Sequence, residues 1–453
     1  MLRVVTGIFL FICIGSFGCS DSNPVGPNPD AGMNQDANKT DLSTNDASPM
    51  NDSVIVGGPY QGYHAHTLKR GKSDNAEVIK VLKGGEFALL VSSKSRKISL
   101  LRIKDGQITE VRSRSLFPQD TSESELSHID ADSTGSWAVV TRTLPQSDQG
   151  TITGCAGEVV FVDIKDAETF GDVLKQVPVG PMPDSVDISP DDKRVASANE
   201  RDVVWGKCEG VAGLDPASIS IIDLPSGPAS AMETLRVLMT IDEEREPEDI
   251  EFSKTGDLLV ATLQDSHEVA FLDLVALSGK TSASDADLKI VSLPKNALGQ
   301  DAWPDGITAF VDGKGIEYFA TANEANDTIT LLDAVGSIVS NLEILASDIP
   351  ADYPRDGSWG PLFRPDSIDD MRWNGRSYLT VTLKASGAVG IWDVSDVKKP
   401  KFVETVKVGD KEGATRDEES TVLPEGISTS ATLGAILTAN EGESSVSLIL
   451  ATP

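Results

Sequence analysis

A chain of 453 residues with 39% hydrophobic side chains can bury a large core, and its 70 acidic against 39 basic residues give a formal net charge of −31. That charge repels nucleic acid and anionic lipid head groups, which argues against an electrostatic role at either, and favours cations, basic partners or plain solubility. With four histidines in the whole chain, a histidine-centred triad or di-iron site is a poor expectation.

In chain order, Arg3 supplies a short basic region, Val4 to Ile14 an apolar run, and Ser16-Phe17-Gly18 a small-residue approach to Cys19. This layout predicts a secretory signal over residues 1–18, too short for a stable membrane span. A Cys directly after Gly18 resembles the lipobox of bacterial lipoproteins, although Ser16 stands where Leu is usual. The resemblance implies lipid attachment at Cys19 and a place in the bacterial cell envelope, outer membrane or cell surface, with the lipid as the only membrane contact. Residues 19–52 are rich in Asn, Asp, Pro, Ser and Gly and nearly free of apolar side chains, so they are expected to be a disordered tether.

The remainder, 53–453, repeats itself. Copies begin at Pro183-Asp184, Pro247-Glu248, Pro304-Asp305, Pro365-Asp366 and Pro424-Glu425, with weaker ones from Ala76 and Leu126. Their starts lie roughly 50 to 65 residues apart, at and above the longest usual propeller periods. Each copy offers an apolar run, a Gly/Asp turn, a second run ending in Ala-Asn-Glu or a variant, and a third such as "TITLLD"; most add a fourth. Seven sets of four strands predict an all-β fold, a seven-bladed β-propeller with four-stranded antiparallel blades. The last copy ends before its fourth strand, so "SVIVGGPYQ" (Ser53 to Gln61) is expected to complete that blade from the N-terminal side and close the ring. "DAVGSIVSN", from Asp333, is the one stretch read as a short helix.

The ordered series "AEV", "PDSVDISPDDKRVASANE", "EPEDIEFSKTGDLLVATLQDS" and "WPDGITAF…TANEAND" resembles the choice-of-anchor I propellers of bacteria and the related mesenchyme-specific cell-surface glycoprotein group. The likeness runs from about Ser53 to the C-terminus. It implies an extracellular propeller and hardly any particular activity.

Propeller geometry brings the entry of strand one and the exit of strand two to the same face. The candidate ligand or metal residues are therefore Glu77, His128, Asp184, Glu248, Asp305, Asp366 and Glu425, with Asn199-Glu200, Asn323-Glu324 and Asn440-Glu441, and Gln264-Asp265 as a variant. His128 is read as the residue replacing the blade acid. Carboxylates crowded at a channel mouth repel one another unless protons or cations compensate, and such oxygen ligands suit Ca²⁺ or Mg²⁺. A Pro–acid pair can equally be turn chemistry, since Pro fixes φ and the carboxylate accepts backbone N–H groups. His64 and His66 share one face of a strand without a third ligand nearby, and His267 is expected to be solvated.

Cys155 and Cys208 fall in long loops between strands two and three of adjacent blades, where a disulfide is expected. No nucleophile elbow, Walker loop or HExxH motif is present. Trp205, Trp303 and Trp359 sit in loop-like contexts. The leading expectation is a monomeric, surface-anchored binding scaffold whose acidic face takes a protein, glycan or small ligand. The alternative is a metal-dependent hydrolase, a phosphoesterase or lactonase, using channel carboxylates.

Overall fold

A computed structural model describes residues 63–71, 74–120, 124–148, 151–201, 208, 211, 214–240, 245–356, 362–410 and 420–451. The signal with Cys19, the tether, the run Ser53 to Gln61, Trp205 and Trp359 lie outside them. Among the described residues the strands form seven sheets and the only helices are single 3-10 turns. Blades one to six span residues 79–115, 125–179, 183–238, 247–292, 304–343 and 365–407; the seventh joins 424–451 to 63–69.

Each blade is an antiparallel meander, and its first strand packs against the first strands of both neighbouring blades, so seven first strands enclose a central channel. Period-two alternation explains the packing, because successive side chains point to opposite faces of a blade. In the second strand of blade four, Leu259, Ala261 and Leu263 face blade three, whereas Val260 faces blade five. The core is accordingly divided into seven apolar clusters, one at each junction between blades. A fully buried Leu, Ile or Phe in such a cluster contributes about 1.5–3 kcal/mol.

The ring is closed as expected, by a strand from the N-terminal side, but that strand is Tyr63–Lys69. It pairs antiparallel with Ser445–Ala451, from Tyr63↔Ala451 to Lys69↔Ser445, and Leu68 packs on the cluster between blades seven and one.

Three local expectations are corrected. Asp333 to Asn341 is not helical: Asp333 Oδ1 accepts the N–H of Ser337 at 2.7 Å, Gly336 turns the chain at φ +70°, and Ile338–Glu343 is the outer strand of blade five. β-Branched Ile338 and Val339 favour the strand. The sequence around Cys155 is not a loop, because Trp137–Asp148 and Thr151–Asp163 continue their pairing through Pro145↔Cys155 and beyond the body of the sheet. Thr151, Ile152 and Thr153 supply the β-branched residues that extend it. Finally, blade three carries a fifth strand, Ser282–Ser284, parallel to Met232–Leu238 and contributed by the connection inside blade four.

Candidate functional site: the acidic channel mouth

Numbering each blade from its entry residue (Pro183, Pro247, Pro304, Pro365 and Pro424, with Ala76 and Leu126 in the first two) aligns the seven first strands. Position two is Glu77, Ser127, Asp184, Glu248, Asp305, Asp366 and Glu425, and all seven residues line one continuous cavity of about 250 Å³. His128 is therefore not the residue that replaces the acid. Ser127 takes that place, and His128 lies one step on, at position three, where the register shifts in most blades. Its N–H donates to Thr141 Oγ1 at 2.7 Å, and burial pushes the imidazole below its ordinary pKa.

Why the Pro–acid pair and the end of strand two meet is visible in the backbone. Met182, Trp303, Arg364 and Leu423, each directly before the entry Pro, adopt left-handed conformations with φ between 46° and 52°. For a residue with a side chain this costs about 1–2 kcal/mol. It is offset by a repeated hydrogen bond in which the carbonyl of that residue accepts the N–H of Glu200, Glu324, Lys384 and Glu441, at 3.0, 2.9, 3.0 and 2.9 Å. In blade four Gln264 donates likewise to Glu246 at 3.2 Å. Close approach of neighbouring first strands also fixes two glycines: a Cβ on Gly306 or Gly426 would sit 2.7 Å from the carbonyl oxygen of Asp366 or Glu77.

The asparagines of the Ala-Asn-Glu tripeptides do not reach the channel. Asn199, Asn323 and Asn440 are fully buried inside their own blades. Asn323 Nδ2 donates to Thr328 and Thr330 hydroxyls at 2.8 and 2.9 Å while Oδ1 accepts from Thr321. Asn440 makes the same set with Ser445, Ser447 and Thr438, and Asn199 with Ser218, Ser220 and Ser197. A buried amide needs all these partners, which explains the Ser/Thr alternation of strand three. The following residue is the one that faces the mouth.

Among the described residues two cations enter the ring, and a third, Lys94, reaches Glu441 at 3.6 Å. Lys384, at the position of Glu324 and Glu441 in other blades, reaches Asp366 at 3.0 Å and Glu425 at 2.5 Å. Burial opposes its charge, yet Asp366, Glu425, Glu324 and Asp305 outweigh it and hold the ammonium pKa well above the usual lysine value. Arg364 binds Glu324 Oε1 through Nε at 2.8 Å and through Nη2. Asn75 Nδ2 links Glu77 and Glu441 at 2.8 and 2.9 Å.

On the opposite arc the compensation is weaker, since Lys384 acts on Asp184 and Asp305 through its charge alone. No ammonium or guanidinium pairs with Asp184, Glu248 or Asp305 among the described residues, and Asp305 has only Gln264 Nε2 at 3.3 Å. Burial, then mutual repulsion, raises the acids: Asp184 to about 7, Glu77 to about 8, and Glu248 and Asp305 well above the carboxylate range. One oxygen each of Asp305, Glu324 and Asp366 lies within 4.8 Å of the others, a spacing that could hold a metal ion.

A second ring, at position five, escaped the sequence reading: Lys80, Asp130, Asp187, Glu251, Thr308, Asp369 and Ser428. It lies roughly 10 Å further along the strands. Its side chains fasten blade to blade. Asp130 accepts the N–H of Ile188 at 2.9 Å, Asp187 that of Phe252 at 2.7 Å, Asp369 that of Thr429 at 2.8 Å and Ser428 that of Val81 at 3.0 Å. Lys80 meets Asp130 at 2.8 Å. The missed signal was an acid three residues after the Pro–acid pair, present in "PDSVD", "PEDIE" and "PDSID".

Around the rim, Trp303 is 36% exposed and stacks on His267, ring centroids 6.3 Å apart. His66 Nδ1 accepts the N–H of Ile108 at 3.4 Å, on the outer side of the ring. Cys155 and Cys208 are joined as a disulfide with Cα atoms 6.0 Å apart, above a small cluster of Met182, Val211, Ile152 and Leu214. The staple thus ties the extended hairpin of blade two to the connection between strands two and three of blade three, beside Met182, which turns the chain into that blade.

Comparison with solved structures finds propellers among the matches. Hydrazine synthase of Kuenenia stuttgartiensis is 15% identical, with 84% of this chain and 97% of that one covered and a TM-score of 0.54. The WD40 repeats of RRP9 are 8% identical over 88% and 100% of the chains with a TM-score of 0.57. The Cps50 (Swd1) propeller of Myceliophteria thermophila is 9% identical over 86% and 100% with 0.51. These likenesses carry the fold alone. No curated protein matches the sequence. Residues 77–239 match the model of the choice-of-anchor I domain, which together with the disulfide suggests a cell-surface, extracytoplasmic protein. The chain is thus a seven-bladed β-propeller, of which residues 77–239 match the choice-of-anchor I domain.

Proposed function

We propose that this propeller is a binding scaffold at the cell surface, whose acidic channel mouth receives a cationic ligand. The observation that carries the reading is the ring at position two, where six carboxylates (Glu77, Asp184, Glu248, Asp305, Asp366 and Glu425) line one cavity and, among the described residues, direct ion pairs reach only one arc. A low-dielectric wall lined with one sign of charge raises the local concentration of the opposite sign. In this reading residues 1–18 are a removed signal, Cys19 carries the lipid, 19–52 form the tether and the propeller works as a monomer. Binding is tested by titrating the intact chain with Ca²⁺, Mg²⁺ and a hexalysine peptide beside a variant carrying Asp184→Asn, Glu248→Gln and Asp305→Asn. The reading predicts that at least one of these cations binds the native chain and is lost in the variant; equal behaviour of the two proteins rejects it. Anchoring is tested separately by incorporation of labelled palmitate, which Cys19→Ala should abolish.

A second reading, a metal-dependent hydrolase, is favoured by the grouping of Asp305, Glu324 and Asp366. Against it, Glu324 and Asp366 already hold Arg364 and Lys384. Stoichiometric metal in the purified protein, with EDTA-sensitive turnover of a phosphate ester or lactone, would establish it; absence of both would remove it.

A further inference from the structure

The two arcs of the mouth are built on the same blade geometry but filled differently. Between blades six and seven the ammonium of Lys384 sits between two position-two acids, Asp366 and Glu425. The same strand-two exit carries Gln264 in blade four and Glu200 in blade three, and among the described residues no lysine pairs with Asp184, Glu248 or Asp305. The second ring repeats the choice of ion, with the Lys80 ammonium on Asp130. In both rings the cation set directly on a ring acid is a primary ammonium, whereas the Arg364 guanidinium takes Glu324 beside the mouth.

An independent observation marks the unfilled arc. Oε2 of Glu248, the central residue of the three, is enclosed by protein and has no hydrogen-bond partner. A buried polar oxygen left unmatched is destabilising, so a donor that reaches it is favoured there. Asp184, Glu248 and Asp305 stand at position two of three successive blades and line one cavity, where they offer acceptors to an ammonium, which carries three N–H donors and no acceptor. Ca²⁺ instead asks for six to eight oxygens. The cavity, about 250 Å³, is below the 300–1,000 Å³ usual for drug-sized ligands and suits an alkyl chain ending in a charge.

We infer that Asp184, Glu248 and Asp305 form a receptor for a primary alkylammonium group, seated between blades three, four and five as Lys384 is between blades six and seven. This deepens the proposed cation-binding reading and rests on it.

Calorimetric titration of the full chain tests it with 1,5-diaminopentane, tetramethylammonium and Ca²⁺ as probes. The diamine should bind at one site, while tetramethylammonium, which has no N–H donor, should bind at least ~10-fold more weakly. Glu248→Gln should weaken the diamine ~10-fold or more, and Asp184→Asn similarly should the first variant fold poorly. Glu233→Gln, on an outer strand, should leave it within ~2-fold. Lys384→Ala should raise the stoichiometry from one diamine to two by vacating the quasi-equivalent notch. Equal binding of tetramethylammonium, or a diamine affinity unchanged by Glu248→Gln and Asp184→Asn, overturns the inference. If Ca²⁺ binds and the diamine does not, the inference falls while the broader cation-binding reading survives. If neither the diamine nor any cation binds, both fall.

Discussion

The channel carries two acidic rings three residues apart, and they do opposite things with the same side chain. At position five, Asp130, Asp187 and Asp369 turn a carboxylate oxygen onto a backbone N–H of the next blade. At position two, no backbone N–H of the next blade is so engaged by Asp184, Glu248 or Asp305 among the described residues. The deep ring spends its acceptors on holding the barrel together, whereas at the mouth Asp366 and Glu425 take Lys384, Glu77 takes Asn75 and Oε2 of Glu248 is left unmatched. Acidity by itself therefore does not distinguish a fastening from a receptor; the partner of each oxygen does.

The comparison breaks first at Asp130. Asp130→Ala removes the acceptor of Ile188 and the partner of Lys80 together, and should lower stability by about 2 kcal/mol in denaturant unfolding. A loss no larger than that of a mouth variant would erase the distinction between the rings.

The next effect is one of pH. An unfolded Asp or Glu titrates near ~4. Burial and neighbouring acids hold Asp184 at about 7 and Glu77 at about 8 in the fold, so between those values the folded chain keeps the extra protons. Stability on their account is therefore greatest at low pH, falls as pH rises from ~4 to about 8, and is level above. Asp130 has the opposite sign. Burial raises its pKa, but the charge of Lys80 and its hydrogen bonds bring it below the ordinary value, so it stabilises above ~4 and that contribution is lost on acidification through its lowered pKa. Asp184→Asn should accordingly raise the melting temperature at pH 8, by the equivalent of roughly 1 kcal/mol, and leave it nearly unchanged at pH 4. A uniform shift at both pH values would contradict the assignment.

The smallest effect belongs to the compensated arc. Glu324→Gln disturbs a pair with Arg364 whose members are largely covered yet open to the channel, and should cost about 0.5–1 kcal/mol. A larger loss would make Arg364 a structural fastening rather than a counter-charge.

Much of this was legible in the sequence, and for a physical reason. The repeat "Pro–acid, turn, Ala-Asn-Glu, Ser/Thr-x-Ser/Thr" states a local rule that every blade obeys, so the seven sheets and the shared face followed from counting. What repetition could not supply was the role of each residue within the rule. Asn323 looked like a ligand because Asn is an oxygen donor; its amide is instead saturated by Thr321, Thr328 and Thr330 inside the sheet. His128 looked like the acid's substitute because the entry to blade two lacks Pro, and a one-residue offset turns a side chain to another direction. The deep ring was hidden because Asp130, Asp187, Glu251 and Asp369 sit inside apolar runs where charge reads as surface. Lys384, in "TLKAS", was passed over because it breaks the Ala-Asn-Glu pattern, and that departure is what divides the mouth into two arcs.

The closing strand gives the molecule a mechanical property. Tyr63–Lys69 is the first described strand, and it completes a sheet whose other three strands are the last described ones. A pull on the chain ahead of Tyr63 would be delivered to its ladder with Ser445–Ala451, beginning at the Tyr63↔Ala451 pair. Six blades are fastened within themselves, so this ladder is the clasp of the ring: the joint that bears the load if the propeller is held by its N-terminal side, and the one whose release would open the channel from edge to axis.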